Sequence, residues 1–131
     1  MNIISFKKKW NNKNIEDWGC YCSDEFKSFT RQFKNMLKSE LGDNYNLYGF
    51  KANHYDFSGF VEKNGCFVYI SYSLNRHRPI NFDSSNFFDG FLVRTAKSAK
   101  DYTGGINTYT NLDGLIDRVN KLLEEQYKIA V

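Results

Sequence analysis

The chain has 131 residues and a mass of 15.4 kDa, enough for one domain (1–131) and too little for two. Apolar residues at 41% and charged residues at 25% exclude wholesale disorder, while no apolar run nears the roughly 18–20 residues of a membrane span, and Met1–Trp10 lacks the apolar core of an export signal. The net charge of +3 is local: Lys7, Lys8, Lys9 and Lys13 fall in a first stretch of fourteen residues without an acid, and with those four set aside the 18 basic side chains become 14 against 15 acidic ones, unlike a domain that neutralises phosphates over its whole body.

In chain order, residues 1–14 read as a basic, polar lead-in docked by Ile3, Ile4, Phe6 and Trp10. Ser23-Asp24-Glu25 opens a helix, with a hydroxyl cap followed by two acids facing the positive end of the dipole. Phe26, Phe29, Phe33, Met36, Leu37 and Leu41 recur at three-to-four spacing and form one apolar stripe, and Gly42 stops the helix. From Tyr45 the period changes. Tyr45–His54 is strand-like, and Phe57–Glu62 and Cys66–Leu74 flank Lys63-Asn64-Gly65, a strong hairpin signal. In the second arm Cys66, Val68, Ile70, Tyr72 and Leu74 share one face, and Phe67, Tyr69, Ser71 and Ser73 the other. A loop from Asn75 to about Asn86 holds the only proline, and Phe87–Ala96 supplies another strand. Lys97 to Thr110 is a polar connection, after which Asn111 caps a second helix with Leu112, Leu115, Ile116, Val119, Leu122, Leu123 and Tyr127 on one side.

The order predicts an α+β single domain: helix, three or four antiparallel strands, helix (αβββα), with both helices on one sheet face. The other face then presents Phe67 and Tyr69 to solvent or to a partner. The aromatic wealth (12 Phe, 9 Tyr, 2 Trp) has a plainer source as well, since Phe, Tyr, Lys, Asn and Ile share AT-rich codons.

Metal and catalytic constellations are thin. Three cysteines (Cys20, Cys22, Cys66) without an export signal point to free thiols in a reducing cytoplasm. Cys20-Tyr21-Cys22 has one intervening residue, against the two to four of structural zinc sites, and Cys66, His54 and His77 complete no spaced pair. There is no nucleophile elbow, P-loop, metalloprotease helix or dinucleotide fingerprint. Arg76-His77-Arg78 is the best acid–base grouping, two cations beside an imidazole, and would suit a small ribonuclease toxin; a solvated loop ending at Pro79 is the favoured reading of it. No cofactor, no metal and no catalytic residue are expected, and the chain is read as a non-enzyme.

The sharpest binding feature is a basic ridge on the first helix: Lys27, Arg31, Lys34 and Lys38, within roughly a 60° arc and about 16 Å long, with no acid inside it. Arg76 and Arg78 form a second basic cluster, and Lys97 and Lys100 a third, at opposite ends of the sheet. Lysine outnumbers arginine 13 to 5, whereas bidentate recognition of phosphate or guanine favours arginine.

The αβββα order resembles the double-stranded-RNA-binding domain, but the second helix opens Asn111-Leu112-Asp113-Gly114, acidic where that family places lysines. The stretch from Arg94 through Lys97, Lys100, Gly104-Gly105 and Tyr109 into Leu112-Asp113-Gly114-Leu115 is similar to small proteins of phages and mobile elements, of the anti-CRISPR inhibitor type. That resemblance implies a non-catalytic inhibitor of a bacterial nucleoprotein effector, a Cas nuclease, and carries over no functional residue. The surface such an inhibitor would use is read from the ridge, the loop cluster and the open sheet face, with Lys27, Arg31, Lys34, Lys38, Arg76, Arg78, Phe67 and Tyr69 facing acidic protein or guide RNA. A DNA mimic that fills a positively charged channel must be strongly acidic, which this chain is not. The alternatives are an RNA- or DNA-binding protein of weak sequence preference, and the ribonuclease.

Overall fold

A computed structural model describes residues 1–11, 23–53, 56–73, 90–101 and 105–130. Three helices, α1 (Ile3–Trp10), α2 (Asp24–Leu41) and α3 (Leu112–Ala130), accompany a sheet of β1 (Asn46–Asn53), β2 (Asp56–Lys63), β3 (Cys66–Ser73), β4 (Phe91–Ala96) and β5 (Thr108–Thr110). The strands are antiparallel and lie in sequence order, β1 at one edge and β5 at the other. The architecture is α+β, with the helices on one sheet face as the apolar stripes require.

Local chemistry sets the element ends. The Ser23 hydroxyl accepts from the Phe26 N–H at 3.1 Å to start α2, and Gly42, at φ +94°, ends it with its N–H on the Lys38 carbonyl. Asn111 Oδ1 accepts from the Gly114 N–H at 2.9 Å at the start of α3. Asn64 and Gly65 both take positive φ, +54° and +80°, which gives the β2–β3 turn the twist of its strands.

One core lies between sheet and helices, and it is built largely of rings. Phe33 of α2 stacks on Phe91 of β4 (centroids 5.4 Å apart, 9° between planes) and lies 4.8 Å from Phe57, while Tyr72 lies 5.3 Å from Phe57 and 4.9 Å from Phe91. Val61, Val68, Ile70, Val93, Leu112, Leu115 and Val119 fill the space between. Among the described residues nine aromatic side chains belong to this core, each buried ring contributing apolar area and edge or offset contacts.

The sequence reading needs three corrections. The segment 3–10 is a helix, where a polar lead-in was expected: Phe6 and Trp10, four residues apart, are buried against Phe29 (both centroids 5.3 Å away), whereas Ile4 is 74% exposed and docks nothing. Asn2 caps α1 through Ser5, Glu40 accepts the otherwise orphaned Ile3 N–H at 2.8 Å, and Lys7 pairs with Asp113 of α3 at 2.8 Å. The sheet has five strands, because three residues of the polar connection pair with β4; the Thr108 hydroxyl donates to the Val93 carbonyl at 2.6 Å. Finally, β1 is broken by a bulge. Gly49 opposes Gly59 and Lys51 opposes Ser58, which leaves Phe50 as the extra residue. Gly49 and Phe50 both have positive φ (+85° and +63°), and the Phe50 ring turns into the core beside Phe33 and Phe57.

Candidate functional site

The bulge brings β1 close to α2, and between them lies a groove of about 370 Å³ lined by Lys27, Thr30, Arg31, Lys34, Phe50, Lys51 and Ala52. Its cations have two origins. Lys27, Arg31 and Lys34 come from α2 at spacings of four and three, so they rise about 4.5–6 Å apart along the axis. Lys51 comes from β1, immediately after the bulge. Lys27, Arg31 and Lys51 are exposed. Lys34 is half-buried and its ammonium donates to the Gly49 carbonyl at 3.2 Å, tying the helix to the bulge.

Among the described residues no acid lines the groove, and none of Lys27, Arg31, Lys34, Lys38 and Lys51 is in an ion pair. The groove floor is apolar: Phe50 is only 3% exposed and Ala52 is half-buried. Thr30 is buried and its hydroxyl is used within α2, donating to the Phe26 carbonyl at 2.9 Å. Positive rims over an apolar base suit a ligand that carries negative charge and an apolar group together.

The residues expected to form one binding surface are only partly gathered. Lys27, Arg31 and Lys34 share the groove, while Lys38, exposed on the last turn of α2, does not line it. Phe67 and Tyr69 are half-buried on the sheet face away from the helices, so they cannot share a contact surface with α2. On that face Tyr48 pairs with Phe60, Phe60 with Tyr69 and Tyr69 with Arg94 across four strands, and the rings approach at 5.2 Å (Phe60–Tyr69) and 6.4 Å (Tyr48–Phe67). Arg94 is engaged there, donating to the Gly105 carbonyl at 2.7 Å and to Asn107 Oδ1 at 2.9 Å. Arg76, Arg78 and the His77 between them lie outside the described residues, as do Cys20, Cys22 and His54. Among the described residues no three His, Cys, Asp or Glu side chains converge as metal ligands.

Lys51 is the groove residue the sequence reading missed. Its signal was Gly49, a glycine inside a strand pattern, which marks a bulge or a close backbone approach. A smaller concavity of about 230 Å³ lies where the β2–β3 turn meets α3. Several of its polar groups are matched to one another: the Tyr45 hydroxyl donates to Asn120 Oδ1, and the Lys63 ammonium lies 4.8 Å from the Tyr45 ring centroid. The α2–β1 groove is the stronger site, because among the described residues Lys27, Arg31 and Lys51 on its rim are in no ion pair.

Among the described residues no helix is long and apolar enough to cross a membrane. Compared with protein-family models, curated proteins and solved structures, the chain matches none.

Proposed function

We propose that this protein is a non-catalytic inhibitor that docks through the α2–β1 groove onto a bacterial nucleoprotein effector, a Cas nuclease. The observation that carries the docking reading is the set of unpaired cations. Lys27 and Arg31 are a like-charged i,i+4 pair on the rim of the groove. Such a pair destabilises a helix by about 0.2–0.5 kcal/mol, and among the described residues neither cation is in an ion pair. An external anion lying against them accounts for that arrangement. The choice of effector rests on the resemblance of the 94–115 stretch to small mobile-element inhibitors, and the nearly neutral body excludes occupation of a cationic DNA channel by mimicry.

The test measures DNA cleavage by a panel of guide-loaded Cas nucleases, with and without the purified protein. Expected is inhibition of at least one nuclease near stoichiometric amounts, lost when Lys27→Glu, Arg31→Glu and Lys51→Glu are combined and retained in Lys38→Glu. Equal inhibition by the triple variant would remove the groove from the mechanism. Inhibition of none would remove the effector. Tight binding to bare nucleic acid that falls steeply with salt, with no Cas protein present, would favour the direct RNA- or DNA-binding reading.

A further inference from the structure

The anion that enters the α2–β1 groove has, up to this point, two possible sources in a nucleoprotein: carboxylates of protein or phosphates of guide RNA. Resting on the docking reading above, we infer that the occupant is an acidic peptide segment, with Asp or Glu side chains flanking one aromatic or branched apolar residue.

Three features separate this occupant from a nucleic acid. The first is the floor. Single strands are held by stacking bases on accessible aromatic faces, yet among the described residues the one ring in the groove, Phe50, is 3% exposed and packed 5.9 Å from Phe33 and 6.4 Å from Phe57. It offers a base no face, and the apolar surface an incoming side chain can cover is that of Ala52 and the aliphatic stems of the flanking cations.

The second is the identity of the cations. Three of the four are lysines, point charges on flexible stems that accept carboxylates in many geometries, whereas planar recognition of phosphate favours arginine forks. The third is their placement on both walls. Lys27 and Arg31 stand on α2 and Lys51 on β1, with the apolar floor between them. Cations on both walls suit a chain that places acids on either side of an apolar group. Lys34 holds the groove together through the Gly49 carbonyl and contributes field more than a free contact.

The experiment uses the full chain and three fluorescent probes of equal net charge: a peptide with acids around one Phe, the same peptide with that Phe replaced by Ala, and a single-stranded oligothymidylate. Anisotropy titrations are run at low and at physiological salt. Expected is binding of the Phe peptide at least about tenfold tighter than either the Ala peptide or the oligothymidylate, and its loss in Lys27→Glu/Arg31→Glu/Lys51→Glu but not in Lys38→Glu. Two variants with unchanged circular dichroism, Ala52→Glu on the floor and Arg31→Glu on the rim, should each weaken it.

Preference for the oligothymidylate, lost in the triple variant, would overturn the peptide assignment and leave the groove as the docking site. Equal affinity for the Phe and Ala peptides would overturn the apolar component, and with it the inference. No binding of any probe, together with unchanged effector inhibition by the triple variant, would overturn both the inference and the docking reading beneath it.

Discussion

Phe50 occupies a backbone conformation that a bulky side chain rarely adopts, at φ +63°, in the middle of an edge strand. It is held there by what lies opposite. A Cβ added to Gly59 would meet the Phe50 ring at 2.5 Å and the Tyr48 carbonyl oxygen at 2.6 Å, so the absence of a side chain at 59 gives Phe50 its seat. Gly59→Ala should therefore cost about 1–3 kcal/mol, the range for overpacking a filled core, read as a lower urea midpoint at constant slope. Gly65→Ala, at φ +80° in a turn with open space around it, should cost about 1–2 kcal/mol from its backbone conformation alone. An unchanged urea midpoint in Gly59→Ala would mean that steric room at Gly59 does not seat the bulge. The glycine in the strand pattern was visible in the sequence, but the direction of Phe50 was not: one inserted residue breaks the two-residue side-chain period, and only the register against β2 says where.

At the scale of elements, α2 was legible nearly to the residue, because its cap, stripe and stop agree: Ser23, the Phe26-to-Leu41 spacing and Gly42 all point to one helix. On its charged side Lys34 ties the helix to the bulge, whereas among the described residues Lys27 and Arg31 are in no ion pair. Substituting Lys27→Ala or Arg31→Ala should leave stability unchanged or raise it by about 0.2–0.5 kcal/mol through relief of like-charge repulsion, while weakening partner binding. Destabilisation of 1 kcal/mol or more in denaturant unfolding would show these cations to be structural. The short helix α1 was not legible, since eight residues rich in lysine have little helical stability of their own. It exists through tertiary burial of Phe6 and Trp10, so Phe6→Ala should cost about 3–5 kcal/mol by thermal or urea unfolding. Lys7→Ala should cost under about 1 kcal/mol, because its pair with Asp113 is largely in water, at 37% and 67% exposure. Strand β5 was missed for a related reason: its three residues are ordered by pairing with β4 and by the Thr108–Val93 hydrogen bond, neither of which local pattern encodes.

For the molecule as a whole, the fold separates two features that composition lists side by side. The helix-covered side of the sheet carries the basic groove, and the opposite side carries Tyr48 (43% exposed) with the half-buried Phe60, Phe67 and Tyr69. Periodicity assigned Phe67 and Tyr69 to the face opposite Val68 and Ile70, and the two apolar stripes placed both helices on the latter side, so the division of the expected surface in two was legible; the position of α2 beside the bulged edge, which makes the groove, was not. The groove also explains how a long edge strand stays blunted. The bulge, Lys51 and the Lys34 ammonium on the Gly49 carbonyl all disfavour open-ended strand pairing at β1, so residues that blunt the edge also supply the charge of the groove. The most direct measurement is the affinity and cleavage inhibition of a target Cas nuclease by the intact protein, by Lys27→Glu/Arg31→Glu/Lys51→Glu and by Lys38→Glu. Expected is loss of at least about tenfold in affinity, with loss of inhibition, in the triple variant alone; undiminished binding and inhibition by that variant would contradict the assignment of the groove.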